Sequence, residues 1–444
     1  MSSLSLTAAK RVLQGVLVAS VLFATGCVDQ VVNTSDTNAI GAYDRSEKVR
    51  NRQLLEDGVT TLGKDGEFTA VMFAIEPNKV LDRYKVLDRY KVLDRYKVLD
   101  RYKVLDRYEY SDAFHGWAIW AATDHLDELL ALMEDDDEIK WIEPVFGMNR
   151  PEWQGGRFKM RQNLPWNVKD VGGSKSWTNS GDGEGEVEVD VFILDTGVSS
   201  SDVNLASALD FSGSGSAVDM DGHGTHIAGT IGAIDDNNGA VGVAPGARIH
   251  SLRVFTDSGT ADDAVVISAI DHVVRWKKEN PEKPAVMNLS LGENVAGAWT
   301  ALDDAVTAAI DAGITVVVAA GNESVDVSMI TPAHVEAAIT VGATTRNHSF
   351  TWFSNMGSVV DIHAPGEEVV SLDIGSGLAV MSGTSMSAGH VTGAAALYLA
   401  RNPDATPAEV ARAIVDRSTS RVRGMPTGTT DRFLNVETSR NGTW

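Results

Sequence analysis

Residues 187–195 read VEVDVFILD. Val187, Val189 and Val191 alternate with acidic residues, then the run turns wholly apolar and delivers Asp195 at its end. A short run apolar on both faces suits a strand inside a parallel sheet, with helices above and below. The neighbouring sequence supplies the partners. ARIHSLRVF (247–255), KPAVMNLSLG (283–292) and ITVVVAAGN (314–322) are further strand candidates. Between them, ADDAVVISAIDHVVRWKKE (261–279) and WTALDDAVTAAIDAG (299–313) carry helical patterns. This alternation predicts an α/β domain over residues 162–444, a parallel sheet flanked by helices. Ligands of such sheets sit at the carboxyl ends of the strands, so the chemistry is sought there.

Three polar or glycine-rich stretches fall at such ends. VDVFILDTGV (189–198) presents Asp195. DMDGHGTHIAGTIGA (219–233) sets His223 between glycines, just before a helical pattern of small residues. MSGTSMSAGHVTGAAALYLA (381–400) opens a second such helix at Ser385. Singly, each has an ordinary reading: a helix cap, a loop histidine, an N-cap serine. Together they supply a nucleophile, a base and an orienting carboxylate. A serine hydroxyl needs an imidazole to accept its proton. The imidazole needs a carboxylate to hold its tautomer and to stabilise the imidazolium.

In this order the three stretches resemble the signature motifs of the subtilisin-like serine proteases, with the proteinase K group nearest in texture. The resemblance runs from about Gln162 to Val436. It implies that Ser385 attacks the scissile carbonyl, His223 acts as general base and then acid, and Asp195 orients His223. VVVAAGNES (316–324) resembles the oxyanion segment, with the Asn322 amide and the Ser385 backbone N–H as donors. Ser290, Leu291 and Gly292, with Ala319, Ala320 and Gly321, resemble the walls of the primary specificity pocket. Ser258, Gly259 and Thr260 resemble the edge segment that pairs with extended substrate. Small apolar walls imply a bulky apolar residue before the cleaved bond. Two departures stand out: Gly389 occupies a position usually held by proline, and Glu293 one often held by glycine.

The resemblance extends to partners and ions. No cofactor is expected for catalysis. A structural calcium ion is expected on the Asp361 carboxylate and the carbonyls of Glu336 and Ala338, because oxygen ligands suit that ion. Residues 63–147 resemble the inhibitor propeptide of the family, a small α+β, ferredoxin-like domain. Its expected elements are a strand in EFTAVMFAI (67–75), another in AFHGWAIWAA (113–122), a helix in TDHLDELLALMEDD (123–136) and a strand in EIKWIEPVF (138–146). Residues 148–161 then form a processing linker. The expected partners are protein or peptide substrates and the chain's own propeptide, with a monomeric enzyme. A catalytically silent subtilase acting as a tethered binding protein is the alternative. A sedolisin-type relative would replace His223 by Glu and Asn322 by Asp.

Composition bounds the rest. The 444 residues carry a formal net charge of −23, which argues against nucleic acid as a partner. Cys27 is the single cysteine, so no intramolecular disulfide forms. Lys10 and Arg11 precede an apolar run, Val12 to Ala24, that ends in ATGC; this predicts an export signal over 1–27. The same ending resembles a lipoprotein box that would lipidate Cys27. A polar tether follows over 28–62. The expected protein is secreted, with a precursor that a lipid could anchor to the cell envelope. Residues 79–108 repeat KVLDRY five times without change. Six residues rotate 600° on a helix, so successive copies are displaced by 120° and form no single apolar face. The repeat reads as a tandem expansion in a surface connection.

Overall fold

The computed structural model describes residues 61–62, 68–75, 107–110, 112–114, 116–122, 126–134, 139–145, 147–149, 157–158, 162, 164–236, 239–375 and 377–438. The export segment, Cys27, most of the tether and repeat residues 79–106 lie outside them. The chain divides into two compact units. One takes residues to 110 and 115–146; the other takes 111–114 and 147 onward.

The first unit holds β1 (Thr61–Leu62), β2 (Phe68–Ile75), β3 (Arg107–Tyr110), β4 (Gly116–Ala122), α1 (Leu126–Glu134) and β5 (Ile139–Pro144). β2 is central, antiparallel to β4 on one side and to β5 and β1 on the other, while β3 pairs outside β4. The order β5-β2-β4-β3 is that of a ferredoxin-like sheet. Leu126, Leu129, Leu130 and Met133 share one face of α1 and are buried. Two features depart from the sequence reading. β1 takes in the last two residues assigned to the tether. β3 is an unanticipated strand, and the last copy of the repeat enters it through Arg107 and Tyr108.

The second unit is built on β6 (Gly147–Asn149), β7 (Arg157–Phe158), α2 (Trp166–Asp170), β8 (Asp190–Asp195), β9 (Asn204–Asp210), α3 (His223–Gly232), β10 (Arg248–Arg253), β11 (Thr260–Asp262), α4 (Asp263–Glu279), β12 (Ala285–Leu289), β13 (Glu293–Asn294), α5 (Ala301–Asp311), β14 (Thr315–Ala319), β15 (Ile330–Thr331), β16 (Ile339–Thr344), β17 (Ile362–Pro365), β18 (Val369–Leu372), β19 (Leu378–Met381), α6 (Thr384–Arg401), α7 (Pro407–Arg417), β20 (Thr419–Ser420) and β21 (Arg432–Phe433). Among the described residues the main sheet has nine strands, in the order β20-β21-β17-β16-β14-β12-β8-β10-β9. Every pairing in it is parallel except β20 with β21. All residues of β8, β12, β14 and β16 are buried, as a sheet covered on both faces requires.

Chain order reverses direction at β8. β9 and β10 lie on one side of it, β12, β14, β16 and β17 on the other. The strand ends at this reversal carry Asp195, Ser290 and, two strands away, Asn322. Helix α6 is buried almost throughout, which its small residues permit. At Gly393 an added Cβ would stand 2.7 Å from Val243 Cβ, so no larger residue fits there. Among the described residues no helix is long and apolar enough to cross a membrane.

Candidate active site

Asp195 ends β8 fully buried. Its Oδ1 accepts the Thr196 N–H at 2.7 Å and lies 2.8 Å from His223 Nδ1. The carboxylate therefore fixes the proton on Nδ1 and turns Nε2 to the other side of the ring. His223 opens α3, and close backbone packing holds it there. A Cβ on Gly224 would stand 2.2 Å from the Gly197 carbonyl oxygen, so only glycine lets the helix approach β8 this closely. Gly222 has φ of +106°, the left-handed region that glycine tolerates.

A residue overlooked in the sequence ties these parts together. Asp219 is fully buried and accepts hydrogen bonds from Thr196 Oγ1 (2.9 Å), Thr225 Oγ1 (2.6 Å) and the backbone N–H groups of Asp221, Gly222 and Thr225. Thr196 Oγ1 in turn accepts the Gly224 N–H at 2.9 Å. One carboxylate thus joins the end of β8 to the start of α3. The only sequence signal was an acidic residue four positions before His223.

Ser385 lies in the first turn of α6, its Oγ 3.4 Å from the Ser290 carbonyl. Asn322 follows β14. Its Oδ1 accepts from Thr384 N–H at 2.9 Å and Thr384 Oγ1 at 3.2 Å, and Thr384 Oγ1 accepts the Gly321 N–H. These bonds fix the amide orientation and direct Nδ2 away from Thr384. Ser385 and Asn322 line one cavity of about 110 Å³ together with Ser290, Leu291, Gly292, Ala319 and Gly321. Ala320 is buried beside that cavity, its carbonyl held by Asn355 Nδ2 at 2.9 Å. Thr384, Glu293, Asn294, Glu323 and Ile330 complete the lining. Of these, only Glu293 was singled out in the sequence.

The edge segment is a turn. Gly259 N–H bonds the Thr256 carbonyl at 2.9 Å, and Gly259 has φ of +77°. Ser258 is exposed, its hydroxyl bonded among Thr256 and Thr260. Thr260 opens β11, which is paired antiparallel with β6, Thr260 opposite Asn149 and Asp262 opposite Gly147. The segment thus already binds an extended strand.

Of the expected calcium ligands, Asp361 Oδ2 accepts the Thr340 N–H at 2.9 Å, beside β16. Burial pushes its carboxyl up to about 6. Ala338 is buried immediately before β16, and Glu336 is exposed. Among the described residues no three His, Cys, Asp or Glu side chains converge on one point, so an ion here would have Asp361 as its carboxylate and backbone carbonyls for the rest.

Known proteins share this framework. The chain is 40% identical over 315 residues to an extracellular serine proteinase of Thermus sp. (strain Rt41A), covering 67% of this chain and 70% of that one. It is 38% identical over 234 residues to the alkaline serine exoprotease A of Vibrio alginolyticus, covering 52% and 42%. The crystal structure of a cold adapted subtilisin-like serine proteinase superposes with a TM-score of 0.55 at 35% identity, over 62% of this chain and 98% of that one. Residues 187–435, more than half of the chain, match the subtilase family, Peptidase_S8. With Asp195, His223 and Ser385 all inside that match, the chain belongs to the subtilase family of serine endopeptidases.

Proposed function

We propose that this endopeptidase cleaves proteins through an acyl-enzyme formed on Ser385. His223 accepts the Ser385 proton and returns it to the leaving amine, while Asp195 holds the imidazole and stabilises its charged form. The oxyanion is met by Asn322 Nδ2 and the Ser385 N–H. The observation that carries this reading is the 2.8 Å bond from His223 Nδ1 to Asp195, which leaves Nε2 as the basic nitrogen. A side chain before the cleaved bond would enter the cavity between Leu291, Ile330 and Ala319, which favours bulky apolar residues. Glu293 and Glu323 on the same cavity make a basic residue the second reading.

The chain is further read as a secreted zymogen. Secretion is supported by the extracellular relative and the amino-terminal export pattern. Self-processing is supported by β6 on the substrate-edge segment and by β7, which pairs with β19 through Phe158 and Arg157. The cut is proposed between these two anchors, after Asn149 and before Phe158. Calcium would be held by Asp361 with the Glu336 and Ala338 carbonyls, where a cation would offset the cost of burying that carboxylate. Native protein and Ser385→Ala are to be compared for casein hydrolysis and by amino-terminal sequencing. Native protein should hydrolyse casein and start between residues 150 and 157. Ser385→Ala should lose about 10⁶-fold in kcat, the loss found for this change in subtilisin, and remain uncut. Equal activity in the two would refute the reading.

A further inference from the structure

Behind the far wall of the cavity lies a buried polar cluster that the acyl-transfer chemistry does not use. Ile330 lines the cavity and begins β15, paired antiparallel with Glu293–Asn294 of β13, which line it as well. The next residue, Thr331, donates its hydroxyl to Asp303 Oδ1 at 2.7 Å. Asp303 is the third residue of α5 and has no exposed surface. Its Oδ2 accepts the Thr300 N–H at 2.7 Å and the Thr300 hydroxyl at 3.0 Å, closing the capping box of the helix. His334 Nε2 lies 2.9 Å from the same oxygen, and His334 Nδ1 lies 3.2 Å from the Ser328 carbonyl. Both ring nitrogens face acceptors, the arrangement of an imidazolium balancing a buried carboxylate. Trp299 stacks on the imidazole at 5.8 Å and 6°, its own N–H donated to Asp304.

This cluster bears on the cavity because the wall has no slack. A Cβ on Gly292 would stand 2.9 Å from the Thr331 carbonyl oxygen and 3.2 Å from Ile330 Cγ2. A small displacement of Thr331 therefore changes the width of the cavity. We propose that Asp303 and His334 are positioning residues of the specificity pocket. Acting through Thr331, they fix how far Ile330 stands from Gly292 and so set the size of side chain accepted before the cleaved bond. This rests on reading the cavity as the pocket for that side chain.

The test uses peptide substrates identical except for Ala, Leu or Phe before the cleaved bond. Native enzyme, Thr331→Val, Asp303→Asn, His334→Ala and His334→Arg are compared, each normalised to the fraction labelled by a serine-directed probe. Thr331→Val, Asp303→Asn and His334→Ala should shift the native ratios of kcat/KM by about 10-fold. The shift should lie in KM, with kcat within about twofold of native. His334→Arg, whose guanidinium can donate to both Asp303 and Ser328, should restore the native ratios. Should Asp303→Asn not fold, Thr331→Val and His334→Ala decide. Native ratios in the folded variants, or an equal loss of kcat/KM on all three substrates, would overturn the inference alone. A native enzyme that is labelled at Ser385 yet ignores the residue at this position would overturn the pocket reading, and the inference with it.

Discussion

At the scale of single residues, the site depends on orientation as much as on identity. In the proposed mechanism Asn322 serves as a donor because Thr384 holds its oxygen and leaves its amide nitrogen for the oxyanion. Asn322→Ala should lower kcat about 10²–10³-fold, the loss seen when the matching donor is removed from subtilisin, with KM nearly unchanged. Steady-state kinetics on one peptide substrate checks this, and a change confined to KM would contradict it. His390 shows the same logic in the core. Val370 N–H bonds Asn167 Oδ1, Asn167 Nδ2 faces His390 Nε2, and His390 Nδ1 donates to the Met386 carbonyl at 2.7 Å. The network has room for one imidazole proton only. Burial holds His390 down to about 4, His363 to about 4 and His226 to about 3, all below the ordinary 6.5.

These histidines give stability a pH dependence of known sign. Their folded pKa values are depressed, so the unfolded chain binds protons first as pH falls. Stability is full above about 6.5 and declines toward 4, by about 1.4 kcal/mol per pH unit for each histidine. Asp202, raised to about 7 by burial and by Asp236, and Asp361, raised to about 6 by burial, work in the opposite direction, as do Asp262 and Asp271, which burial also raises. His390→Gln should therefore lose less melting temperature between pH 6.5 and 4 than native protein does. Parallel native and variant profiles would contradict the assignment.

At the scale of elements, the sequence was most legible where burial is one-sided or complete. β8, β12, β14 and the helices α3 to α6 lie within a few residues of their apolar runs, because a strand buried on both faces and a striped helix leave unmistakable patterns. Elements defined by pairing rather than by burial were not legible. β9 sits at the sheet edge with Leu205 and Leu209 exposed, so it carries no alternation. β13 and β15 are two residues each, and only their partner registers make them strands. Such short strands carry no sequence pattern, which hid Ile330 and the Asp303–His334 cluster, whereas Ser290, Leu291, Gly292, Ala319 and Gly321, which line the same cavity, adjoin long apolar runs. Asp219 was missed because its role lies in the bonds it accepts. The Gly389 departure can now be weighed. A Cβ there would meet Thr230 at 3.4 Å, ordinary contact, inside a long helix. Gly389→Ala should stabilise by about 0.5–1 kcal/mol, raising the melting temperature by about 2 °C without loss of activity. A lower melting temperature would show that α3 and α6 cannot accept the methyl group.

At the scale of the whole molecule, the proposed zymogen joins a protease domain to its own control segment. The last residues of the repeat, Arg107 and Tyr108, feed β3 of the first unit, and the other copies lie outside the described residues. If calcium clamps the second unit through Asp361, chelator should lower its melting temperature and added calcium should restore it. An unchanged melting curve would show that no calcium ion clamps this unit.

Covalent labelling decides whether Ser385 is the nucleophile. Native protein and Ser385→Ala are treated with a phosphonofluoridate probe, digested and analysed by mass spectrometry. One adduct per native molecule is expected, on the peptide bearing Ser385, and none on the variant. No adduct on folded, propeptide-free native protein, or the same adduct on both proteins, would contradict that role.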